Sequence, residues 1–262
     1  MRPDSEALSG EHASAVDAAG LELRQAAFFL DVDGTLLELA ETPDAVRVEP
    51  PVKELLRILS LQTAGAVALV SGRGIAALDA LFEPLLLPAA GLHGFERRNA
   101  SGTYCRHASP PGPALDRARR LMSQVVARHA GLLLEDKRFA LALHYRQAPE
   151  LESRVIRDVE AIAHAVGSGL HVQRGRMVIE LRPASATKGT AVAEFMQEQP
   201  FLGRRPVCLG DDLTDESAFA WVNSVGGLSV AVNVSRDTAA TMHLPSVAAA
   251  RNWLQALAAR AD

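Results

Sequence analysis

Two aspartates at the end of an apolar run offer a pair of carboxylates for catalysis. Asp31 and Asp33 follow residues 26–30, which are all apolar, and Gly34 and Thr35 complete the motif. Residues two apart at the end of an extended strand project from the same side, so the two carboxylates lie close together. Like charges that close repel and raise one pKa unless a cation lies between them. The pair therefore suits a divided role, with one carboxylate as nucleophile and the other as general acid and then base.

A serine and a lysine further along the chain can hold phosphate oxygens. Ser71-Gly72-Arg73 follows a second apolar run, and at a strand end its hydroxyl and backbone N–H groups can bind an anion. Lys188 opens a helical pattern, where a positive charge is unfavourable to the helix dipole unless an anion is bound beside it. Each motif has an ordinary alternative, since Gly72 also suits a simple turn and Lys188 a solvated surface.

Four acidic residues stand close together nearer the C-terminus. Asp211, Asp212, Asp215 and Glu216 fall within six residues, after the apolar residues 206–209 and a glycine. Carboxylate oxygens are hard ligands that suit Mg²⁺, which keeps several waters and uses few carboxylates. An exposed acidic loop without a metal is the alternative. The segment predicts a Mg²⁺ site if the fold brings it near the first pair of aspartates.

Short apolar runs separated by helical patterns predict the sheet that brings these motifs together. The predicted strands are residues 26–31, 66–70, 85–90, 206–209 and 228–232. Helical stretches between most of them, such as residues 52–61, indicate parallel βαβ units with right-handed crossovers. In such open sheets ligands bind beyond the carboxyl ends of the strands. The motifs after the first, second and fourth strands are therefore expected to converge on one crevice.

The middle of the chain is predicted to be a smaller α/β domain inserted into the first. Prolines and a glycine at residues 110–113 predict a hinge, and Pro183 marks the return to the core. The predicted elements between them are helices at residues 115–130 and 151–166 and strands at residues 132–146 and 171–182. We therefore expect a catalytic core of residues 1–111 and 183–262 and an inserted domain of residues 112–182.

Composition excludes several classes of protein. The 262 residues are 48% hydrophobic and 22% charged, as in an ordinary globular protein, and the net charge of −4 argues against a nucleic-acid partner. The two cysteines lack metal-ligand spacing and are expected to be unpaired thiols.

No apolar run in the sequence approaches the length of about 20 residues that a helix needs to span a bilayer. Residues 1–20 lack the apolar segment of a secretory signal and predict a frayed arm or loose helix. We expect a cytoplasmic protein without a membrane partner.

The order of the four motifs resembles the haloacid dehalogenase-like hydrolase superfamily, over nearly the whole chain from residue 26 onward. A narrower resemblance, to trehalose-6-phosphate phosphatases, rests on motifs around these catalytic ones. The motifs are Leu92-His93-Gly94, Leu134-Glu135-Asp136-Lys137, His144-Tyr145-Arg146, Glu180-Leu181-Arg182-Pro183 with Lys188-Gly189, and residues 210–216. The resemblance implies an α/β fold, in which a Rossmann-like parallel-sheet hydrolase core carries an inserted α/β cap. It also implies Mg²⁺-dependent hydrolysis of trehalose 6-phosphate through an aspartyl phosphate.

The superfamily resemblance implies a role for each catalytic residue. Asp31 attacks phosphorus, and Asp33 protonates the departing sugar oxygen and later deprotonates the attacking water. Ser71 and Lys188 hold the phosphoryl oxygens. The resemblance also implies four Mg²⁺ ligands, which are the Asp31 carboxylate, the Asp33 backbone carbonyl, Asp211 and, through a water molecule, Asp212. Asp215 is implied to orient Lys188 or a metal ligand.

Cap residues are implied to read the sugar. Glu135, Lys137 and Glu180 resemble the family's sugar-binding residues, with a solvated strand face as the alternative. Arg146 is expected either to help hold phosphate or to form a structural salt bridge. The remaining candidates for the substrate site are Gly72 and Arg73, which adjoin Ser71, and His93, for which a structural role is the alternative.

Other functions stay open at this point. Within the same fold, a phosphatase acting on sucrose phosphate or mannosyl-phosphoglycerate is the nearest alternative, and a phosphomannomutase-like transferase is a further one. A non-catalytic phospho-acceptor module also combines acidic residues, a hydroxyl and a lysine. Such a module lacks an acid two residues after its phosphorylated aspartate and lacks a large insert, so Asp33 and residues 112–182 count against it. A catalytically silent sensor has no support, because every catalytic position is filled. We expect a monomer.

Overall fold

The computed structural model describes residues 21–40, 45–106, 112–137, 140–167, 169–183 and 186–259. The predicted N-terminal arm lies outside these residues. The described residues form twelve strands: β1 Ala26–Leu30, β2 Val67–Val70, β3 Ala89–Gly91, β4 Glu96–Arg98, β5 Tyr104–Arg106, β6 Leu133–Asp136, β7 Leu141–His144, β8 Leu170–Gly175, β9 Val178–Pro183, β10 Arg205–Gly210, β11 Leu228–Val232 and β12 Met242–Leu244. They also form seven α-helices: α1 Pro50–Gln62, α2 Ile75–Phe82, α3 Gly112–Arg128, α4 Glu152–Val166, α5 Lys188–Phe195, α6 Glu216–Ser224 and α7 Val247–Ala258.

The larger sheet has eight strands in the order β12-β11-β10-β1-β2-β3-β4-β5. The six strands from β12 to β3 are parallel, whereas β4 and β5 are antiparallel additions at one edge. All five strands predicted for the core are present, although β3 begins at Ala89 and not at residue 85. The carboxyl ends of β1, β2 and β10 meet in the middle of this sheet, which is where the predicted motifs follow.

Strand β1 is buried on both faces, which explains its unbroken apolar sequence. Phe28 and Leu30 belong to the cluster that includes side chains of α1 and α7. Ala27 and Phe29 point the other way, into a cluster with α5 and α6. The Phe29 ring stacks on Phe201 with ring centroids 5.4 Å apart. The strand that carries the first motif is thus held rigidly between two helical layers.

The smaller sheet is antiparallel and has the order β6-β7-β9-β8. Side chains alternate across it, as strand geometry requires. In β9, Ile179 and Leu181 join an apolar cluster with helices α3 and α4. Glu180 and Arg182 are the alternating residues, so a polar face is left on the side away from these helices. We call this sheet with its two helices the cap.

The predicted fold class, an α/β core with an inserted α/β cap, is confirmed, with the antiparallel edge as an addition. The sequence missed β4 because its residues, Glu96, Arg97 and Arg98, are all charged. They are nonetheless buried, because they have partners elsewhere in the core. A terminal nitrogen of Arg98 lies 2.6 Å from Asp79 Oδ2, and Arg97 Cζ lies 4.9 Å from the centroid of the Phe195 ring. Residues 110 and 111 of the predicted hinge lie outside the described residues, and residues 112 and 113 begin helix α3. The predicted domain boundaries stay a prediction.

Candidate active site

Lys188 lies between two carboxylates at the carboxyl edge of the larger sheet. It is the first residue of α5, whose start is fixed by a capping box between Thr187 and Thr190. The buried Nζ atom donates to Asp31 Oδ1 and to Asp215 Oδ1, each at 2.7 Å. Burial alone would lower the pKa of Lys188, but the two carboxylates outweigh it and raise the pKa above its ordinary value. The lysine is therefore charged and buried, which excludes the solvated alternative, and the bound phosphate expected beside it stays a prediction.

Asp211 approaches the first motif so closely that only glycine fits opposite it. Gly34 has φ of +86°, and a Cβ there would lie 2.1 Å from Asp211 Oδ2. The Thr35 hydroxyl lies 3.2 Å from Asp31 Oδ2 and 3.4 Å from Asp211 Oδ1, within hydrogen-bond reach of both carboxylates. The loop after β1 and the loop after β10 thus share one acidic site, as the sequence predicted.

If all the carboxylates of this site were ionised, their negative charge would exceed what the protein itself compensates. Burial raises the pKa of Asp31 to about 6, against the opposing effect of Lys188. Burial, with the neighbouring Asp31 and Asp215 charges, raises the pKa of Asp211 to about 9. One oxygen from each of these three aspartates lies within 4.8 Å of the others. Crowded, buried carboxylates of this kind fit a bound cation, and oxygen-only donors suit Mg²⁺.

The members of this cluster differ in part from the predicted ligands. Asp215 joins it, but its Oδ1 accepts from Lys188 and its Oδ2 accepts the Asp212 N–H at 3.1 Å. These contacts place Asp215 beside Lys188, and its orienting role stays a prediction. The side chains of Asp33 and Asp212 are not members. The metal-binding roles of both residues stay predictions.

Asp33 forms a bidentate ion pair that spacing alone did not reveal. Arg73 Nε donates to Asp33 Oδ2 at 2.6 Å, and an Arg73 terminal nitrogen donates to Oδ1 at 2.7 Å. Ser71 is buried at the end of β2, and its Oγ accepts the Arg73 N–H at 3.1 Å. Arg73 therefore connects the predicted acid–base residue to the predicted phosphate-binding loop.

His93 joins the core to the cap. Leu92 and His93 have φ values of +51° and +57°, a left-handed conformation that is costly for side chains with a Cβ. This backbone brings His93 Nε2 to 2.6 Å from Glu180 Oε2. Burial lowers the pKa of His93, although Glu180 opposes this. A neutral ring that donates from Nε2 leaves Nδ1 as an acceptor, and this buried atom has no hydrogen-bond partner among the described residues.

The cap residues Lys137 and Glu180 also contact the core. Lys137 Nζ donates to Glu180 Oε1 and, at 2.9 Å, to the carbonyl of Gly72. Burial alone would raise the pKa of Glu180, but Lys137 and His93 lower it well below its ordinary value. Both predicted sugar-reading residues are therefore part of a buried ionic bridge between cap and core.

Glu135 and Arg146 have separate partners. Glu135 Oε2 lies 2.8 Å from His144 Nε2 within the cap. Burial alone would raise the pKa of Glu135, but His144 and Lys137 outweigh this effect and lower it. Arg146 donates to the Ala40 carbonyl of the core at 2.9 Å, a backbone contact that neither of its predicted roles included.

One pocket between core and cap contains nearly all the predicted site residues. Its lining includes Asp31, Asp33, Ser71, Gly72, Arg73, His93, Glu135, Lys137, Arg146, Glu180, Lys188, Asp211 and Asp212. Asp215 lies behind them, in contact with Lys188. Convergent polar groups in a concave site between two domains are typical of small-molecule binding.

The lining or supporting residues that were missed from the sequence include Thr35 and Gln173. Thr35 lies in the first motif but had no role assigned, although its hydroxyl lies between two carboxylates. Gln173 lines the pocket and stands beside Glu180 in the register of β8 and β9. The threonine could have been found from its position four residues after Asp31. The glutamine could not, because strand register is not visible in the sequence.

The acidic cluster lies at the carboxyl ends of parallel strands and is covered by the cap. This combination of fold and site is that of a haloacid dehalogenase-like hydrolase. Among the described residues, no helix has the length and apolar character needed to cross a membrane.

Comparisons with known proteins narrow this class to one family. The trehalose-phosphatase family model matches residues 29–248. A probable trehalose-phosphate phosphatase of Sinorhizobium fredii is 43% identical over 255 residues, covering 97% of this chain and 95% of the relative. The trehalose-6-phosphate phosphatase of Escherichia coli is 44% identical over 230 residues, covering 87% and 85%. The chain therefore belongs to the trehalose-phosphatase family, whose members are phosphoric monoester hydrolases.

Solved structures agree with this fold. The C-terminal domain of a C. albicans trehalose-6-phosphate phosphatase superposes with a TM-score of 0.82 at 24% identity, covering 90% of this chain and 92% of that chain. An Aspergillus fumigatus trehalose-6-phosphate phosphatase superposes with a TM-score of 0.60 at 28% identity, covering 90% and 93%.

Proposed function

We propose that this protein is a Mg²⁺-dependent phosphatase that hydrolyses trehalose 6-phosphate to trehalose and phosphate, the second step of trehalose synthesis. The observation that carries the proposal is the buried Asp31–Lys188 contact, which lies in an acidic cluster beneath a cap face rich in carboxylates. The 43–44% identity to proteins named for this activity supports the choice of substrate.

In the first step, an Asp31 oxygen attacks phosphorus and the bond from phosphorus to the sugar oxygen breaks. Lys188 Nζ lies 2.7 Å from Asp31 Oδ1, so the lysine can hold the phosphoryl oxygens next to the nucleophile. Asp33 gives its proton to the departing sugar oxygen. Because both Asp33 oxygens contact Arg73 in the structure, donation requires that the carboxyl group leave this ion pair.

In the second step, Asp33 takes a proton from a water molecule, and the water oxygen attacks phosphorus. The bond from phosphorus to Asp31 breaks and phosphate leaves. Arg73 suits this stage, since a bidentate guanidinium favours the ionised carboxylate that accepts the proton.

The acidic cluster would hold the metal ion through Asp31, Asp211 and the Asp33 carbonyl, with Asp212 reaching it through water. Bound Mg²⁺ would neutralise charge on the phosphoryl group. The raised pKa values of Asp31 and Asp211 support this assignment, because a cation relieves the repulsion that raises them.

The cap face is proposed to read the sugar. Glu135, Glu180 and Gln173 offer hydrogen-bonding groups at the pocket wall, and the unpartnered Nδ1 of His93 offers an acceptor for a sugar hydroxyl. A ligand that cannot donate a hydroxyl to the unpartnered His93 Nδ1, or to the remaining acceptor positions of the two carboxylates, would bind less well.

A phosphate-release assay with Mg²⁺ over a panel of substrates tests the proposal. The panel contains trehalose 6-phosphate, sucrose 6-phosphate, mannosyl-phosphoglycerate, glucose 6-phosphate and p-nitrophenyl phosphate. We expect kcat/KM for trehalose 6-phosphate to exceed that for each other substrate by about 100-fold or more. The Asp31→Asn variant, purified in parallel, controls for contaminating phosphatases. A higher kcat/KM for another sugar phosphate would assign the protein to that substrate instead.

A further inference from the structure

The turn between β8 and β9 projects one arginine from the cap towards the acidic loop of the core. Gly175 and Val178 pair across the hairpin, so Arg176 and Met177 form a two-residue turn. Met177 has φ of +61°, and its carbonyl accepts the Tyr145 N–H at 3.0 Å. The turn is thus tied to the end of β7, and the position of Arg176 is fixed by the cap backbone.

The same turn rests directly against the predicted metal loop. A Cβ at Gly175 would lie 3.0 Å from Asp212 Oδ2 and 2.9 Å from Val178 Cγ1, so there is little space between hairpin and loop. Arg176 follows Gly175 and is exposed. The cap and the acidic loop therefore meet at this arginine.

Arg176 stands at the boundary between two pockets. The inner one is the candidate active site, and the outer one is lined in addition by residues that include Asn233, Arg236 and His243. Four residues line both pockets, namely Gly175, Arg176, Asp211 and Asp212. Arg176 therefore lies where the two pockets adjoin, next to Asp211 of the acidic cluster and Asp212.

The other cations of the inner pocket are already engaged. Arg73 pairs with Asp33, Lys137 with Glu180, and Lys188 with Asp31 and Asp215, while Arg146 donates to a backbone carbonyl. Within the part of the chain that the structure describes, Arg176 has no hydrogen-bond or ion-pair partner. It stays unpaired although it lies in a pocket lined by several carboxylates, so its guanidinium is available to a bound anion.

We propose that Arg176 binds the phosphate group at the opening between the outer and inner pockets. A guanidinium fork matches two phosphate oxygens, and a free positive charge at the mouth of an acidic pocket offsets its repulsion of a dianion. The ligand chemistry is a phosphate dianion, which reaches this position as the substrate's phosphomonoester or as product phosphate. The inference rests on the proposed phosphatase function, and it adds a binding residue that the cap supplies.

The test measures phosphate binding separately from sugar binding. Arg176→Gln should raise the KM for trehalose 6-phosphate, the KM for p-nitrophenyl phosphate and the Ki of inorganic phosphate by about tenfold each, with kcat changed less than about twofold. Arg176→Lys restores the charge but not the guanidinium fork, so it should recover only part of this loss. The matched control is Arg120→Gln, which removes the same charge from an exposed position of helix α3, on the helical side of the cap sheet. It should leave all three constants unchanged.

Several outcomes would overturn the proposal. A rise in KM for trehalose 6-phosphate alone would show that Arg176 contacts the sugar and not the phosphate. A fall in kcat at constant KM would show that Arg176 acts only by stabilising the position of the cap. Equal constants for Arg176→Gln, Arg120→Gln and the wild type would remove any role. If no sugar phosphate is hydrolysed, the proposed function fails, while calorimetric titration of inorganic phosphate with Mg²⁺ still tests Arg176. Unchanged phosphate affinity in Arg176→Gln would then refute the proposal by itself.

Discussion

Two groups of buried carboxylates face one pocket, and their pKa values move in opposite directions. At the core edge, burial raises the pKa of Asp31 to about 6 and that of Asp211 to about 9. On the cap face, the pKa of Glu180 is lowered by Lys137 and His93, in spite of burial. Burial is similar in the two places, so the difference comes from the number of carboxylates that share each buried lysine. Asp31, Asp211 and Asp215 crowd together beside Lys188, whereas Glu180 has Lys137 and the His93 ring as partners.

This contrast separates two tasks. The cap compensates its own carboxylates with protein cations, so it can present ready-made hydrogen-bond acceptors to a sugar. The core leaves its aspartates crowded around one lysine, which suits a site completed by a metal ion and a phosphoryl group. Changes in the core should therefore affect every phosphate ester, whereas changes to cap residues that contact neither the core nor the phosphate group should depend on the sugar.

The largest effect is expected for the nucleophile. Asp31→Asn keeps the shape of the side chain but removes the attacking anion and one predicted metal ligand. We expect activity to fall by about 10⁴-fold or more on trehalose 6-phosphate and on p-nitrophenyl phosphate alike. Circular dichroism of the variant controls for folding. Turnover above a few per cent of the wild type, on either substrate, would rule out Asp31 as nucleophile.

Removal of the metal should have the next largest effect. EDTA should abolish activity and Mg²⁺ should restore it. Asp211→Asn should raise the Mg²⁺ concentration for half-maximal rate more than Asp212→Asn, because the Asp211 carboxylate lies within the acidic cluster and that of Asp212 does not. Full activity in excess chelator would contradict the assignment of the cluster to a metal.

Loss of the acid–base residue should depend on the leaving group. Asp33→Asn should slow hydrolysis of trehalose 6-phosphate by about 10²–10⁴-fold, since a sugar oxygen needs a proton to depart. The first step with p-nitrophenyl phosphate should suffer less, because the phenolate leaves without one. Rapid-quench measurement of the phospho-enzyme separates the two steps. Equal losses in the first step for both substrates would remove the general-acid role.

Two cap glutamates should behave differently from each other. Glu135 pairs within the cap, so Glu135→Ala should lower kcat/KM for trehalose 6-phosphate by about 10–150-fold and leave p-nitrophenyl phosphate nearly unchanged. Glu180 bridges to His93 of the core, so Glu180→Ala should lower kcat/KM for both substrates. Steady-state kinetics on both substrates measures this. Identical selectivity profiles for the two variants would show that the bridge does not couple cap and core.

The smallest effect concerns stability without metal. Because the folded pKa values of Asp31 and Asp211 exceed their unfolded values, the folded state binds more protons, and stability must fall as pH rises through this window. His93 has a lowered pKa and is neutral in both states above about pH 7, so it adds no slope there. From pH 7 to 8.5 in EDTA we expect a loss of roughly 1–2 kcal/mol in the free energy of unfolding.

Denaturant unfolding at several pH values checks this slope. Asp211→Asn should flatten it, and saturating Mg²⁺ should do the same in the wild type. A stability that rises with pH over this interval would contradict the raised pKa values.

What the sequence predicted well was local. An apolar strand followed at once by Asp31 and Asp33, or by Asp211, can be recognised because the chemistry is adjacent to the element that positions it. The edge strand β4 could not be recognised, since its charged residues Arg97 and Arg98 are buried only through partners distant in sequence. The same limit hid the Arg73–Asp33 pair.

The cap shows this limit most clearly. Motif similarity singled out Glu135, Lys137 and Glu180 as equivalent sugar-binding residues. The structure separates them, because Lys137 and Glu180 reach Gly72 and His93 of the core whereas Glu135 does not. Which cap residue contacts the core depends on how two domains are docked, and that information is spread over both of them.

The most direct test of the whole account is to locate the phosphoryl group on the enzyme during turnover. Wild-type protein is mixed with trehalose 6-phosphate and Mg²⁺, quenched in acid within milliseconds, digested and examined by mass spectrometry. The account predicts one phosphoryl group on the peptide that contains Asp31, and its absence from Asp31→Asn treated in the same way. A phosphoryl group on Ser71 or Asp33, or turnover without any phosphorylated peptide, would contradict it.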